Sequence, residues 1–450
     1  MNLGMKSSLQ KTQHDIFLTP LHKICDLSHE IIRLADSIDW QALDDTFGES
    51  YCEDNGRPAK IIRLMIGLHY LKAIFGESDE SVVAKWVENP YWQYFCGERD
   101  FQHEFPIEPT SMVKWRRRIE KKGLNQLLEE SIKAGLKAGA LRQKDLKHIN
   151  VDTTVMEKAI SYPTDAGLYV KMIVKLIKVA KDRHIKLRQS YVRKSKQAFV
   201  MQCRYRHARQ MKRANREVRK LRTYLGRLLR DVDRKQNTEQ EDAVLKQLLS
   251  LGLRLWNQKR EDKNKLYSLH ASEVECIAKG KAHKKYEFGC KVGVVVTSQG
   301  SFILGSQALH GNPYDGHQLK EMLDQARGLL PESLRLGKVY CDLGFRGHNE
   351  TKAEVNIVGR KLKHLSQGIR KWFKRRAAIE PVIGHMKNDG RDPRNHLLGV
   401  KGDCINATMM SCGFNLRQCL RALALFWQKY FNEIFRFRVV EARLAINLNS

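Results

Sequence analysis

Two groups of strand-like sequence enclose a long helical segment, and this order limits the folds open to the chain. The segment 146–156 alternates apolar and polar residues and is rich in β-branched side chains, which is typical of a strand. Further strands are predicted at 273–280, 285–300, 301–311, 339–341 and 355–360. Residues 164–270 have helical periodicity instead. The sequence therefore predicts a mixed α/β domain, with a sheet core covered by helices, that carries a large helical insertion after its first strand.

Three acidic residues lie in apolar surroundings on different elements of this predicted domain. Asp152 lies within the first strand, Asp342 directly follows the strand 339–341, and Glu380 lies in the helical stretch 375–387. In open α/β sheets, sites form at the carboxyl ends of the strands. Together the three carboxylates suit two hard divalent cations, with Mg²⁺ expected, that stabilise a displacement at phosphorus.

Glu380 belongs to the stretch RRAAIEPVIGHMK, in which helical spacing places it on one face with Arg376 and Lys387. One interpretation is a salt-bridged helix packed on a core. The other is a catalytic carboxylate flanked by two basic side chains that bind phosphate. Pro381 predicts either a kink in this helix, which we favour, or a helix that begins at Pro381.

The formal net charge of +30, from 80 Lys and Arg against 50 Asp and Glu, predicts a polyanionic partner. Nucleic acid is the first candidate, and an anionic membrane surface is the alternative. The two most apolar runs, 61–75 and 409–427, both contain charged residues, so neither is expected to span a membrane. The N-terminus lacks an apolar signal core, which favours a cytoplasmic protein. None of the ten cysteines forms a CxxC pair, so zinc ribbons are not expected.

The first 140 residues are helical in pattern, with helices predicted at 21–38, 58–76 and 78–88. A further helix is expected to begin with Thr110 or Ser111 as its cap. Its basic residues are Lys114, Arg116, Arg117 and Arg118. A short helix, a turn and this basic helix suggest a reader of DNA that resembles a helix-turn-helix. The alternative is an ordinary basic surface helix.

The helical insertion is strongly basic, because residues 181–230 contain 18 Lys and Arg against only Asp182 and Glu217. Apolar residues recur within it at the 3-4 spacing of a coiled coil: Met211, Ala214, Val218, Leu221, Leu225, Leu228 and Val232. With a second apolar helix at 244–256, the pattern predicts an antiparallel hairpin. The basic residues expected to contact DNA phosphates are Arg213, Arg216, Arg219 and Lys220. The alternative is a solvated structural arm.

Several stretches spread over nearly the whole chain resemble one known family. They are GRPAKIIRLMIGLHYLK (56–72), NPYWQYFCGE (89–98), INVDTTVMEKAISYPTDAGLY (149–169), KLRQSYVR (186–193), YEFGCKVGVVVT (286–297), HGNPYDGHQL (310–319), CDLGFRG (341–347) and AAIEPVIGHMK (377–387). The chain resembles the DDE-type bacterial insertion-sequence transposases, and within them insertion-sequence family five.

This resemblance implies a ribonuclease-H-like catalytic domain whose acids fall on Asp152, Asp342 and Glu380. It implies metal-dependent cleavage at the ends of an insertion sequence, followed by transfer of the freed 3′-hydroxyl to target DNA. The expected cofactor is a pair of Mg²⁺ ions, with Mn²⁺ as a substitute. The expected partners are the double-stranded DNA of the terminal inverted repeats and of the target, and a second copy of the chain in the DNA complex.

Related transposases carry a Tyr, Arg, Glu, Lys signature with two, three and six residues between its members. Arg376, Glu380 and Lys387 match this spacing, whereas Phe373 replaces the tyrosine. In HGNPYDGHQL, Asp315 and His317 are candidates for groups that support the site. Its Asn-Pro and Asp-Gly pairs favour plain turns, which is the interpretation we prefer.

The expected organisation has four parts. They are a helical N-terminal DNA-binding domain (1–140), a catalytic domain (141–163 and 271–400), a basic helical insertion (164–270) and a C-terminal helical segment (401–450). The expected location is the nucleoid within the cytoplasm. The alternative functions are a structure-specific nuclease on the same fold and a domesticated DNA-binding protein that has lost catalysis.

Overall fold

The computed structural model describes residues 19–49, 61–236, 242–278, 284–357, 359, 366–390 and 392–447, with side chains up to residue 424. The described strands form one six-stranded sheet. They are β1 (His148–Glu157), β2 (Glu275–Ile277), β3 (Glu287–Thr297), β4 (Ile303–Leu309), β5 (Lys338–Cys341) and β6 (Val355–Ile357). The strand order is β2-β3-β1-β5-β6, and β4 pairs with β3. Parallel pairing of β1 with β5 and of β5 with β6 combines with antiparallel pairing around β3, so the sheet is mixed.

Helices account for most of the remaining described chain. They are α1 (Leu21–Ile24), α2 (Glu30–Ser37), α3 (Trp40–Gly48), α4 (Ile62–Phe75), α5 (Asp79–Glu88), α6 (Pro90–Phe95), α7 (Pro109–Arg118), α8 (Lys121–Lys137), α9 (Asp165–Asp182), α10 (Val192–His207), α11 (Met211–Lys235), α12 (Ala243–Asn257), α13 (Asp315–Gly328), α14 (Gln367–Arg375), α15 (Ile379–Asn388) and α16 (Gly399–Asn447). The prediction of a mixed α/β protein with many helices is therefore confirmed. Among the described residues, no helix has both the length and the apolar character that a membrane span requires.

The chain forms two compact units. The first comprises Met1–Met156, Lys291–Leu397 and Lys401–Ser450, and the second comprises Glu157–Cys290 and Leu398–Val400. In the first unit, β3 contributes a nearly continuous buried run from Val292 to Thr297. Such a run is expected for a strand that is covered on both faces, because both alternating sets of side chains leave water.

The helix α16 is fixed to the sheet of the first unit by a buried asparagine. The Asn415 side chain accepts a hydrogen bond from the backbone N–H of Ile303 at 3.0 Å and donates one to the carbonyl of the same residue at 2.9 Å. The Asn415 side chain thereby pairs with both backbone groups of Ile303 in β4. An unpaired polar group in this buried position would be destabilising, so the pairing fixes the position of α16 along the strand.

The N-terminal helices differ from the sequence predictions in two places. The helix predicted at 21–38 is divided into α1 and α2, because the Asp26 carboxylate accepts a hydrogen bond from the Ser28 N–H at 2.9 Å and forms a turn. The cap of α7 is Glu108, with Pro109 in the first helical position, and not Thr110 or Ser111. Proline at this position loses no helical hydrogen bond, which explains the earlier start.

The α6–α7 connection also differs from a helix-turn-helix. Residues 96–108 separate the two helices, whereas the turn of that motif has about 3–4 residues. Pro106 and Pro109 keep the chain segment that leads into α7 extended. The basic helix α7 is therefore not the second helix of a tight helix-turn-helix with α6.

The second unit has a core shared by four helices, α9 to α12, and not by a two-helix hairpin alone. The apolar stripe of α9, which includes Met172 and Leu176, is buried together with that of α11. In the predicted heptad, Ala214, Leu221, Leu225, Leu228 and Val232 are buried, and Val218 is partly buried. Met211 is 48% exposed, because it lies at the first position of α11.

The chain around Pro381 combines the two alternatives considered for it. A 3-10 turn at Arg376–Ala378 interrupts the helical path between α14 and α15, and α15 then begins at Ile379. Pro381 lies in the first turn of α15, where its missing N–H leaves no helical bond unmade. In a continuous α-helix, the ring of Pro381 would clash with the carbonyl of Ala377, four residues earlier. Ala377 lies in the 3-10 turn instead.

Candidate functional site

The parallel pairing of β1 with β5 places two of the predicted acids side by side. Ile149 pairs with Val339, and Asn150 with Tyr340. The same register, continued by two residues, sets Asp152 level with Asp342. Asp342 directly follows β5, and its Oδ1 accepts a hydrogen bond from the N–H of Gly344 at 2.8 Å. Two carboxylates far apart in the sequence are therefore neighbours on two adjacent strands inside the sheet, at the end of β5.

Burial and nearby charges shift the pKa of the Cys341 thiol. Burial raises its pKa well above the usual range, and the carboxylates of Asp342 and Asp152 raise it further, whereas Arg376 acts in the opposite direction. Each of these charges must lie close to the same buried sulfur to have this effect. The carboxylates of Asp342 and Asp152 and the guanidinium of Arg376 therefore lie near the end of β5.

Arg376 lies between the first and the third predicted acid. Its Nη1 is 3.3 Å from Oδ2 of Asp152, and its Nη2 is 4.0 Å from Oε1 of Glu380. The side chains of Arg376 and Asp152 are 17% and 18% exposed, whereas that of Glu380 is 68% exposed. Glu380 therefore lies on the open side of the site, where a large substrate can approach it.

The position of Arg376 depends on a polar network that the sequence analysis did not identify. The Asn150 amide donates to the carbonyl of Arg375 at 3.2 Å and accepts from the Ser298 hydroxyl at 2.6 Å. Arg375 in turn donates to the carbonyl of Ser298 at 2.8 Å. Both Asn150 and Ser298 are fully buried, so this closed network ties the end of α14 to β1. Their small polar side chains carry no sequence signal that distinguishes them from ordinary strand and turn residues.

Aromatic packing holds α14 against the same strands. Trp372 stacks on His148 with 3.5 Å between ring centroids. Phe373, which occupies the tyrosine position of the signature, packs edge-to-face on Tyr340 at 6.0 Å. Phe373 therefore has a packing role against β5 that needs no hydroxyl group.

The helix α15 buries one face and presents the other. Ile379, Val382 and Met386 pack into an apolar cluster with side chains of β3, which fixes the rotation of the helix. Glu380 is exposed as a result, and Lys387, two turns further on, is partly buried. The helix thus places Glu380 beside Arg376, while Lys387 lies farther along the same element.

The motif HGNPYDGHQL forms a turn followed by the start of α13, and Asp315 does more than begin this helix. Its Oδ2 accepts a hydrogen bond from the Thr153 hydroxyl at 3.2 Å, and its Oδ1 pairs with Lys291 at 3.0 Å. His317 packs against Tyr314 at 5.3 Å between ring centroids. Asp315 is therefore a further carboxylate near Asp152 and Asp342.

The basic residues of α7 divide between two faces. Lys114, Arg117 and Arg118 are exposed at helical spacing on one face. Arg116 is only 7% exposed and donates two hydrogen bonds to Asp79, at 2.8 and 2.5 Å. The prediction that Arg116 contacts DNA does not fit this position, because its guanidinium is turned into the domain and is paired there.

The Arg116–Asp79 pair belongs to a buried polar cluster with His69 and Lys72. Burial opposes ionisation of Asp79, but the hydrogen bonds and charges of Arg116 and Lys72 outweigh it and lower the pKa of Asp79 to about 2. Burial and the adjacent Arg116 lower the pKa of His69 to about 3. Neutral His69 donates from Nδ1 to the carbonyl of Met65 at 2.7 Å, which leaves Nε2 to accept from Arg116. This cluster connects α4, α5 and α7.

In the second unit, the four basic residues of α11 that were predicted to contact DNA phosphates are all exposed: Arg213, Arg216, Arg219 and Lys220. Two of them have weak local partners. Arg213 lies 5.8 Å from the ring centroid of Tyr205, and Lys220 pairs with Glu217 at 2.7 Å. The basic groups of all four residues are exposed, so the basic face of α11 remains open to an anionic partner.

Comparison with known proteins connects this arrangement to a family. A family model described as a transposase domain (DUF772) matches residues 20–118, and one described as a transposase DDE domain matches residues 258–399. Asp342 and Glu380 lie within the second match, whereas Asp152 precedes it. The chain is also 49% identical over 198 residues to an uncharacterized protein, ORF8 in the nfe locus of Rhizobium meliloti. That alignment covers 44% of this chain and 95% of the relative. No solved structure matches the chain.

Proposed function

The chain belongs to the DDE-type insertion-sequence transposases, and on this premise we propose that it cuts DNA at the ends of an insertion sequence and joins them to target DNA. The observation that carries the proposal is the arrangement of the three acids. The register of β1 on β5, continued by two residues, sets Asp152 level with Asp342, and Arg376 bridges from Asp152 toward Glu380. This is the constellation that cleavage and joining by such an enzyme require.

The three carboxylates fit a site for hard divalent cations. All of their donor atoms are oxygens, which Mg²⁺ and Mn²⁺ prefer, and the open side at Glu380 leaves room for phosphate and water. Bound cations would supply Lewis-acid stabilisation of the attacking and leaving oxygens. We assign Asp152, Asp342 and Glu380 as their ligands.

Both proposed steps are displacements at phosphorus, and neither needs an external energy source. In the first, water attacks the phosphodiester at the end of the element, the P–O3′ bond breaks, and a 3′-hydroxyl and a 5′-phosphate result. In the second, that 3′-oxygen attacks a target phosphodiester and displaces the 3′-oxygen of the target strand. The chain contributes by holding both oxygens in line with the phosphorus.

The exposed basic residues are assigned to DNA. Lys114, Arg117 and Arg118 on α7 are proposed to contact the inverted repeats, and the basic face of α11 is proposed to bind phosphates along the duplex. In the site itself, Arg376 and Lys387 are proposed to bind phosphates of the cleaved end. Arg116 is not included, because its guanidinium is paired with Asp79.

We also propose a more specific fold, family and assembly for the chain. The order of the strands, with β1 central and flanked by β3 and β5, supports a ribonuclease-H-like domain. In this scheme the second unit is an insertion after the first strand, and the motif set supports membership of insertion-sequence family five. Two copies of the chain would pair the two ends of the element in the DNA complex.

A strand-transfer assay tests the proposal. Purified protein is incubated with a labelled duplex in which the inverted repeat is joined to flanking DNA, and with a supercoiled target plasmid, in Mg²⁺, in Mn²⁺ or in EDTA. A transposase joins the labelled end to the plasmid in either metal and does nothing in EDTA. Metal-dependent cutting without joined product would instead support a structure-specific nuclease. Binding without cutting or joining would support a regulator that has lost catalysis.

A further inference from the structure

Asp315 connects the strand that carries Asp152 to the start of α13. The Thr153 hydroxyl donates to Oδ2 of Asp315 at 3.2 Å, and Thr153 directly follows Asp152 in β1. Thr153 is 4% exposed, so the donor of this hydrogen bond is buried. A contact of this kind fixes the backbone next to Asp152, because both the donor and the acceptor belong to ordered elements.

Lys291 of β3 pairs with the other carboxylate oxygen of Asp315. Its Nζ lies 3.0 Å from Oδ1 of Asp315 and 2.7 Å from the carbonyl of Pro313. Lys291 is 7% exposed, and a buried ammonium of this kind requires such partners. Both oxygens of Asp315 therefore have a partner, Oδ2 in Thr153 and Oδ1 in Lys291.

The loop that carries Asp342 closes the arrangement. A Cβ atom placed on Gly344 would lie 3.0 Å from Oδ1 of Asp342 and 3.4 Å from Oδ2 of Asp315. A Cβ on Gly316 would lie 2.6 Å from the carbonyl oxygen of Arg346. The start of α13 and the loop after β5 are thus packed backbone to backbone. The carboxylates of Asp342 and Asp315 both lie next to Gly344.

We propose that Asp315, held by Lys291, is a positioning residue for the catalytic carboxylates and strengthens the binding of divalent cations between Asp152 and Asp342. It acts through Thr153 on the strand of Asp152 and through its own charge near Asp342. The inference rests on the proposed function, because it assigns Asp315 to the same metal site. Removing one negative charge and one tether so close to two ligands weakens the attraction for a cation.

The test is Mn²⁺ binding, followed by the loss of the electron paramagnetic resonance signal of free Mn²⁺ on titration with the full-length protein. Asp315→Asn keeps the shape of the side chain and removes its charge, and it should weaken Mn²⁺ binding about tenfold. The matched control is Asp324→Asn. Asp324 lies on the same helix and pairs with Lys320 at 3.2 Å at the surface, so its replacement should leave Mn²⁺ binding unchanged.

A second pair of variants separates positioning from folding. Thr153→Val removes the hydrogen bond to Asp315 but keeps every charge and nearly the same volume, and it should weaken Mn²⁺ binding at least threefold. Thr153→Ser restores the hydroxyl and should recover most of this loss. If Asp315→Asn does not melt cooperatively, the comparison of Thr153→Val with Thr153→Ser decides whether Asp315 positions the metal site.

Three outcomes are distinguishable. Weaker Mn²⁺ binding by Asp315→Asn and Thr153→Val, with binding retained by Asp324→Asn, supports the inference. Binding by Asp315→Asn as tight as that of Asp324→Asn overturns it, and so does binding by Thr153→Val as tight as that of Thr153→Ser. Absence of Mn²⁺ binding by the parental protein contradicts the proposed metal site itself, and the inference falls with it.

Discussion

The Nη1 atom of Arg376 lies 3.3 Å from Oδ2 of Asp152, so this arginine is paired with a candidate metal ligand. A cation that binds Asp152 must share or displace this contact. Arg376 contacts a carboxylate of the site and is proposed to bind DNA phosphate as well. Both can be measured separately.

Replacing Arg376 with Gln should change metal binding and DNA binding in opposite directions. Without the guanidinium, the carboxylates lose a competitor, so the Mg²⁺ concentration for half-maximal cleavage should fall about two- to fivefold, as for a weak, partly exposed pair. Binding of the cleaved end, measured by fluorescence anisotropy, should weaken, and Lys387→Gln should weaken it as well. Lys374→Gln, an exposed basic residue of α14, is the control. Normal end binding by the Arg376 and Lys387 double variant would restore the interpretation as a simple salt-bridged helix.

The basic face of α11 should account for part of the salt dependence of DNA binding. Each phosphate contact adds roughly 0.9 to the slope of log affinity against log salt. Changing Arg213, Arg216, Arg219 and Lys220 to Gln should make this slope shallower by about 2 to 4. Preference for the inverted repeat should hardly change, because phosphate contacts carry no sequence information.

The control for the arm changes the same number of charges on another helix of the same unit. Lys171, Lys175, Lys178 and Lys181 are exposed along α9. A smaller effect of these four on the salt slope would locate the contact on α11. An unchanged slope in the α11 variant, with helix content intact by circular dichroism, would make the arm structural.

The two adjacent arginines of α7 should have opposite phenotypes. Arg116→Met leaves the partly buried Asp79, whose side chain is 14% exposed, with Lys72 as its partner, and breaking such a pair costs about 3 kcal/mol of stability. Arg117→Gln changes an exposed residue and should alter stability by less than about 0.5 kcal/mol, while weakening binding to the repeat. Urea denaturation and a gel-shift assay on both variants measure the two effects. Equal loss of DNA binding by a fully folded Arg116→Met would reinstate Arg116 as a DNA contact.

The N-terminal helices should lose stability as the pH falls. His69 has a pKa of about 3 in the folded state against 6.5 in the unfolded state, so only the unfolded state gains a proton between these values. Stability should therefore fall by about 1.4 kcal/mol per pH unit below pH 6.5. Asp79, with its pKa lowered to about 2, adds to the loss only below about pH 3.8.

Hydrogen exchange of the α4 amides at pH 7.5 and 5.5, corrected for intrinsic rates, measures this dependence. The parental protein should be about 1.4 kcal/mol less protected at pH 5.5, and His69→Gln should show little difference between the two values. His22→Gln, at an exposed histidine of α1, should retain the parental dependence. Equal pH dependence in His69→Gln and in His22→Gln would exclude His69 as its source.

Some features follow from the sequence because local chemistry decides them. The buried run of β3, the end of α4 at Gly76, which adopts a φ of 67°, and the position of Asp342 at the end of β5 are of this kind. Glu380 on a helix beside Arg376 follows from spacing alone.

Other features depend on contacts between distant residues, which periodicity does not contain. Arg116 looks like its basic neighbours in sequence, and only the position of Asp79 on α5 turns it inward. The turn-like motif around Asp315 likewise gives no sign that Thr153 and Lys291 will meet it. The network of Asn150 and Ser298 joins residues more than a hundred positions apart.

The central claim is that Asp152, Asp342 and Glu380 are the catalytic ligands, and the most direct test is cleavage of an inverted-repeat duplex by isosteric variants. Asp152→Asn, Asp342→Asn and Glu380→Gln should each reduce the cleavage rate in Mg²⁺ by about a thousandfold or more, because metal-ion catalysis contributes several kcal/mol. Each should bind the same duplex with near-parental affinity in EDTA. Cleavage at close to the parental rate by any one of the three would contradict its assignment as a catalytic ligand.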